Sequence, residues 1–397
     1  MILPAAAVDN PGILHICSDY AKQRLYSELF SSLSVLGMQQ FVYVPVRSAV
    51  EIEKYRLNDA KLRFRYAQVL RKYHRLLFRL KTSTIFDDIN RNVDLAQFGL
   101  VHAHFLYSDG AVARAIQRRT GIPYVVSVRN TDLNFFMKWR PDLRLICWDI
   151  LRHASKVIFL SPTYSERMFA LVPAEIRDIL GTKAVIIPNG LDSLWLEHGM
   201  NCERPVGSPL RVLYVGDFSA NKNILNTMKA VRLVNQEVPV TLTLLGGGGD
   251  QEKVLRQQLN SDAWPFVTHL DRIDDRLRMR DTFRSHDIFV MPSLLETFGL
   301  AYIEALSQGL PVVHSRGQGV DGYFPEGEIA ASVDPLSPAA IAAGILALAK
   351  RLPVSRPRCV SAATRFAWPD IAMRYRDLYL WAVSERTSAN GPVIQRT

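Results

Sequence analysis

Two glutamates, Glu296 and Glu304, stand eight residues apart in a stretch whose flanks decide what they can do. Residues 288–321 read IFVMPSLLETFGLAYIEALSQGLPVVHSRGQGVD. The run 288–291 is continuously apolar, the pattern of a strand covered on both faces. Pro292 and Ser293 end it. Leu300, Ile303 and Leu306 then recur at helical spacing, and Gly309 with Pro311 stops that helix. Glu296 therefore falls in a loop at the carboxyl end of a strand, and Glu304 in the helix that follows. Open α/β sheets hold ligands at such loops. The free amides of about residues 298–301 suit a phosphate, and the carboxylates suit sugar hydroxyls, which need acceptors as well as donors. A glutamate early in a helix also serves as a plain dipole partner, so the pair gains meaning only from its surroundings.

Other residues carry chemistry of the same kind. Lys222 lies six residues after Gly216, near a helix start. A fixed ammonium there would stabilise charge gathering on a departing diphosphate; a solvated lysine is the plain alternative. Gly246, Gly247, Gly248 and Gly249 follow a strand end, where a bare backbone approaches a ligand or a partner domain closely; a plain flexible turn is the alternative. His104 ends another strand, either reaching towards a ligand or packed in the core. Arg129 only donates and is always charged; it fits an anionic ligand or a structural ion pair, with the balance towards structure. Asp132 either caps the next turn or orients a hydroxyl.

These residues need strands and helices to place them. Apolar runs at 13–16, 41–46, 100–104, 124–128, 157–160 and 184–187 predict a first set of strands, with a helix over 22–36. A polar, Gly- and Pro-bearing stretch, 197–209, reads as a linker. The pattern then restarts with strands at 212–215, 240–245, 267–270, 288–291 and 312–313, and a helix at 224–234. Two runs of alternating strands and helices predict an α/β chain of two doubly wound domains, 1–198 and 209–367. A closing helix, 368–386, has Pro369 in its first turn and an apolar stripe of Ile371, Tyr375, Leu378, Tyr379 and Ala382; disorder is expected beyond about Arg386. No G-x-G-x-x-G opens a helix, which counts against a nicotinamide or flavin site.

Composition sets bounds. At 48% hydrophobic and 22% charged the chain is an ordinary globular one. No apolar run reaches membrane-spanning length, and the N-terminus lacks a basic, apolar leader. The four cysteines are scattered, which fits a reducing cytoplasm and no metal site. Almost all of the net +10 lies in residues 54–81, where ten Lys or Arg meet one acid, Asp59. Leu62, Tyr66, Val69, Leu70, Tyr73, Leu76, Leu77 and Leu80 fit one face of a helix. The expectation is a basic helical insertion that packs one stripe and offers Arg71 and Arg75 to an anionic membrane surface. A solvated basic face is the alternative, and nucleic acid has no accompanying module.

The ordered set PS-x-x-E-x-F-G-x-x-x-x-E-A-x-x-x-G-x-P-V-V resembles the donor-site signature of retaining GT-B glycosyltransferases of family 4. VHAHFLYSDG, GIPYVVSVRNTDLN, IIPNGLD, VGDFSANKN, LLGGGGD and DIFVMPS follow in the family's order. The resemblance implies two Rossmann-like domains facing across a cleft, the last helix crossing back to the first. It implies a hexosyl-type transferase with no metal and no cofactor beyond a nucleotide-diphosphate sugar, UDP ahead of GDP. By it, Glu304 would hold the ribose and Glu296 the donor sugar. Phe298, Gly299 and Leu300 amides would meet donor oxygens, Lys222 the diphosphate, and Gly216, Gly247 and Gly248 would line the site. His104 and Arg129 would act from the first domain. Two departures stand out: Asp217 replaces a frequent arginine, and Arg129 replaces a frequent histidine. The family further implies a glycan or lipid-linked acceptor in bacterial surface-polysaccharide assembly, on the cytoplasmic face of the membrane, and no nucleic acid. A nucleotide-sugar 2-epimerase and a non-catalytic basic scaffold remain the other readings.

Overall fold

The computed structural model describes residues 11–197, 205–259 and 263–389. The first half runs β1 (Gly12–Ile16), α1 (Leu25–Val35), β2 (Gln40–Pro45), β3 (Leu62–Ala67), α2 (Phe78–Asn92), β4 (Phe98–Ala103), α3 (Ser108–Thr120), β5 (Tyr124–Ser127), α4 (Arg144–His153), β6 (Lys156–Phe159), α5 (Pro162–Leu171), α6 (Ala174–Lys183) and β7 (Ala184–Ile186). After α7 (Ser193–Glu197) come β8 (Leu210–Gly216), α8 (Ile224–Val234), β9 (Val240–Gly246), α9 (Glu252–Leu259), β10 (Val267–Leu270), α10 (Arg276–Arg284), β11 (Ile288–Val290), α11 (Leu300–Ser307), β12 (Val312–Ser315), β13 (Ala330–Val333), α12 (Pro338–Ala349), α13 (Arg356–Thr364) and α14 (Trp368–Ala389).

Both sheets are parallel. The first has the order β3-β2-β1-β4-β5-β6-β7 and the second β10-β9-β8-β11-β12-β13. Each order reverses once, between β1 and β4 and between β8 and β11, and in such sheets ligands bind beyond the carboxyl ends at that reversal. The chain divides into two compact units. One takes in the chain up to Leu160, Ser165–Gly190 and the segment from Trp368 onward; the other takes Ser161–Tyr164 and Leu191–Ala367. Most of the linker expected at 197–209 lies outside the described residues.

The first unit's core gathers Ile13, Phe30, Leu33, Val42, Leu100, Val125 and Ile158 with Ile371, Tyr375, Tyr379 and Ala382 of α14. Gly190 admits the Trp368 ring: a Cβ there would stand 2.2 Å from it. In the second unit, Asp287 just before β11 is buried and takes hydrogen bonds from Arg211 of β8 (2.9 Å) and Arg356 of α13 (2.8 Å), which fixes the strand leading to Glu296.

The helix expected over 54–81 is not there. LRFRYA is strand β3, paired with β2 from Leu62↔Gln40 to Ala67↔Pro45. Leu62, Phe64 and Tyr66 join the core, while Arg65 pairs with Asp88 of α2 at 3.2 Å and Arg63 lies over the Phe41 ring. The same letters satisfy periods of 2 and 3.6, and the unpaired edge of β2 decided for the shorter. Two arginines also suit a strand at the sheet's edge. A 3-10 turn, Lys72–Arg75, follows, and α2 begins near where the expected stripe ends. Leu76, Leu77 and Leu80 are consequently exposed rather than packed. β3 and β13 are strands that the apolar-run pattern missed, and α14 runs past Arg386 to Ala389.

Candidate active site

At the reversal of the second sheet, β8 and β11 release their loops side by side. Lys222 ends a 3-10 turn, Ala220–Lys222, and its Nζ lies 2.8 Å from Glu296 Oε2. Both side chains keep about a fifth or less of their exposure. The loops are clipped together: the Leu295 amide donates to Asn221 Oδ1 (2.9 Å), the Leu294 amide to Asn221 O (2.8 Å), and Asn223 Nδ2 to Pro292 O (3.0 Å). Asn223 has φ 58°, a left-handed turn that asparagine tolerates. Gln318 and Gly319 hold the backbone of Glu296 from β12's side, at 3.1 and 2.8 Å.

Gly299, at φ 80°, opens α11; a Cβ there would strike the Tyr302 ring at 2.4 Å. The Thr297 amide donates to Glu296 Oε1 (3.1 Å). Among the described residues, nothing accepts from the amides of Phe298, Gly299 and Leu300, so they remain for an anion at a helix start. Phe298's ring is buried, and only its backbone can serve a ligand.

The glycine loop is fitted to its neighbour rather than loose. Gly246, at φ 137°, pairs with Gly216, and a Cβ on it would lie 1.9 Å from Gly216 O. Gly248 O accepts from the Phe218 amide (2.9 Å). A side chain on Gly247, by contrast, would meet nothing closer than 3.4 Å. Asp217, where a cation was the family's habit, takes the Ser219 hydroxyl at 3.0 Å.

Glu304 lies on α11, partly exposed. Burial pushes its carboxyl up to about 7 against the opposing charge of Arg276; Asp192 adds to the rise. Arg276 and Asp192 form an ion pair. Neither residue stood out in the sequence, since no spacing ties them to Glu304.

The first unit holds His104 and Arg129. His104 is fully buried, its Nε2 3.1 Å from His15 Nδ1 and its ring 3.9 Å from that of His102. His102 uses both nitrogens, on Tyr379 Oη (2.7 Å) and Ser127 Oγ (2.9 Å). These three rings are the metal-capable group among the described residues. Burial drives His15 down to about 3 and the other two well below the usual histidine range, so the rings are uncharged. Arg129 is buried, its guanidinium on Asn189 Oδ1 (3.1 Å) and over the Tyr26 ring. Asp132 receives the amides of Arg129 (2.8 Å), Leu106 (3.1 Å) and Tyr107 (3.2 Å), which is a loop-fixing task. Lys222, Glu296 and the α11 start are thus brought together in one unit, and His104 with Arg129 in the other.

Residues 209–351 match the family model described as glycosyl transferases group 1, and residues 24–190 match that described as glycosyl transferase 4-like domain. A D-inositol 3-phosphate glycosyltransferase 2 of Catenulispora acidiphila is 35% identical over 316 residues, covering 72% of this chain and 72% of its own. A glycogen synthase of Mycobacterium tuberculosis is 25% identical over 299 residues, covering 71% of this chain and 69% of its own. Among solved structures, the Anabaena protein HepE in complex with UDP and glucose has a TM-score of 0.67 at 16% identity, covering 94% of this chain and 100% of that one. At that identity the likeness is one of fold.

Proposed function

The chain belongs to the group 1 glycosyltransferases, with their GT-B fold, and on that premise we propose that it transfers a sugar from a nucleotide-diphosphate donor, with retention, to a glycan or lipid-linked acceptor. The observation that carries this is Lys222 beside Glu296, against the unsatisfied amides of Phe298, Gly299 and Leu300. A diphosphate at those amides would draw Lys222 to itself and free Glu296 to accept from sugar hydroxyls. Glu304 would accept from the ribose. As the C1–oxygen bond breaks, its electron pair passes to the diphosphate, whose charge Lys222 and the amides stabilise. The acceptor hydroxyl enters on the same face and gives its proton to the departing phosphate oxygen. The products are the glycosylated acceptor and the nucleoside diphosphate. No resident metal or cofactor takes part in this scheme. UDP is the first base to test and GDP the second, and surface-polysaccharide assembly in the cytoplasm is the setting we propose.

A thermal-shift panel of UDP, GDP, ADP and CMP with their sugars tests the donor. A stabilising nucleotide diphosphate, followed by slow sugar release from its sugar ester, supports a transferase. A sugar altered but not released indicates an epimerase, and no response to any of them indicates a scaffold.

A second surface bears on the acceptor's location. Leu76 (80% exposed), Trp139 (64%) and Leu145 (79%) stand out with Leu77, Leu80 and Phe135. Leu76, Leu77 and Leu80 share one groove with Arg140 and Leu143, and Phe136 next to Phe135 meets Phe78 at 6.0 Å. Arg79 lines the groove too, Arg75, Lys138 and Arg144 are exposed on the same segments, and the groove's one acid, Asp142, is paired with Arg140. An apolar plateau with a cationic rim fits an anionic lipid surface, where each basic residue contributes about 1 kcal/mol. Flotation should show binding to anionic vesicles, weak binding to neutral ones and release by salt. Changing Arg71, Arg75 and Arg79 to Gln should weaken binding and leave UDP affinity intact. A wild-type chain that ignores anionic vesicles at low salt removes the membrane from this account.

A further inference from the structure

The first sheet has its own reversal point, and cations without carboxylate partners collect there. β1 and β4 part between Ile16 and Ala103, and their loops meet where the Ser18 amide and hydroxyl both donate to Asp109, the amide at 3.2 Å. Beside them, Lys81 of α2 donates to Ser108 Oγ at 2.7 Å. The neighbouring strands add to the same edge. β2 ends at Pro45 and delivers Arg47, while the Leu70 amide bonds to Val46 O (3.1 Å) and so brings Arg71 and His74 alongside.

Several of these groups are incompletely satisfied. Among the described residues Arg47, Arg71 and Lys81 form no ion pair. Arg47 Nε is buried with no partner. His74 is only 2% exposed, and its Nδ1 accepts from the Arg71 amide at 3.0 Å. Its Nε2 then carries the proton, and that donor has no partner either. Buried donors left unmet are costly, and an anion would satisfy both.

The groups sense one another. Burial lowers Lys81 below the usual lysine range; Asp109 and Asp19 oppose that, while Arg47 and Lys22 reinforce it. His74 is lowered by burial and by the charges of Lys81, Arg47 and Arg71. The local acids are committed elsewhere. Asp19 pairs with Lys22, Glu51 takes the amides of Arg47 (2.8 Å) and Ser48 (3.1 Å), and Asp109 accepts from the Ser18 amide and hydroxyl; burial pushes its carboxyl up to about 7 against the charge of Lys81.

We propose that Arg47, His74 and Lys81, at the reversal of the first sheet, form a phosphate subsite for the acceptor, so that the acceptor carries a phosphate or pyrophosphate ester close to its reacting hydroxyl. This rests on the transferase reading for the word acceptor, but the anion subsite itself does not. Arginine supplies a planar fork and lysine a point charge for phosphate oxygens. A carboxyl-end loop cluster at a sheet reversal is where such a ligand belongs.

The test is calorimetric titration of inorganic pyrophosphate into the full chain, with UDP held at saturation to occupy the second unit. A UDP signal first establishes the donor reading; its failure is therefore seen separately. With UDP bound, pyrophosphate should still bind, and Arg47→Gln and Lys81→Gln should each weaken it about tenfold, the size of one lost charge-assisted bond. UDP affinity should stay unchanged in both, and an unchanged urea midpoint shows that their first unit still folds. Arg91→Gln, ten residues and about 15 Å along α2 from Lys81, should change nothing. A competition arm separates the two sources of such a group: glucose 1-phosphate stands for a soluble sugar phosphate, and neutral vesicles doped with polyprenyl pyrophosphate for a lipid-linked one. Competition by either assigns the source. Competition by neither overturns the acceptor assignment. Pyrophosphate that fails to bind once UDP is present, or that binds both variants as tightly as wild type, overturns the subsite.

Discussion

An ammonium held 2.8 Å from a carboxylate is a resting state that a diphosphate would disturb, and Lys222 is where the proposed chemistry is most exposed to test. Lys222→Ala should weaken UDP more than UMP, because only UDP presents the second phosphate; equal losses in calorimetry would take Lys222 off that phosphate. Glu304 supplies a pH signature. Its folded carboxyl is pushed up to about 7 from the usual 4.5. The native chain therefore keeps a proton that the unfolded chain loses over that window. The stability this contributes is complete below about 4.5 and is lost as pH rises through about 7. Ribose recognition runs the other way, since the ionised carboxylate is the better acceptor. UDP affinity should rise as pH rises through about 7 in the wild type and rise less in Glu304→Gln. Parallel profiles would separate Glu304 from the nucleotide. At this scale the placing of Glu296 in a loop, Glu304 in a helix and Lys222 near a helix start is legible, because their flanks carry strand, loop and helix signals. Asn221, Gln318 and Arg276 were not, since their roles depend on contacts 74, 22 and 84 residues away in the chain.

Elements were legible in proportion to how singular their periodicity is. α8 occupies the span that the pattern predicts and β11 nearly so, because 224–234 carries a helical period and the short apolar run at 288–291 is bounded by turn residues. β3 shows the opposite case. Leu62 and Tyr66 serve either period and Phe64 only the shorter, and what decided was the bare edge of β2, a fact about the sheet rather than about the segment. The pattern predicts one basic helix face at 54–81; the strand, turn and helix there distribute the charge instead between a sheet edge and an exposed rim. The glycine loop was legible as a close approach, and the structure identifies what it approaches. Gly246→Ala would drive a Cβ to 1.9 Å from Gly216 O at φ 137°, a left-handed backbone that costs of order 1–3 kcal/mol for an L side chain even with room. It should lower the denaturation midpoint and weaken UDP by displacing the loop after β8. Gly247→Ala, with nothing nearer than 3.4 Å, should be tolerated far better; similar stability for the two variants would show that the loop is loose after all.

On the scale of the whole molecule, the first unit is completed by a helix that follows the second. Its core waits for Ile371, Tyr375, Tyr379 and Ala382, which follow the entire second unit in sequence. The Tyr379 hydroxyl meets His102 Nδ1 across 277 residues at 2.7 Å. That bond holds one end of a stack of three buried, uncharged histidines, so its loss leaves a polar nitrogen with no water to turn to. Tyr379→Phe keeps the ring and removes only the bond. It should cost about 1–3 kcal/mol of stability, the penalty for a buried group left unpaired. The cost falls in the first unit alone, because Lys222, Glu296 and Glu304 are held by contacts within the second. Urea unfolding should therefore show a lowered midpoint for Tyr379→Phe, with UDP affinity below that midpoint equal to wild type. A weakened UDP site in the folded variant would mean that the donor site depends on how α14 is seated, and the two units would then have to be treated as one energetic whole.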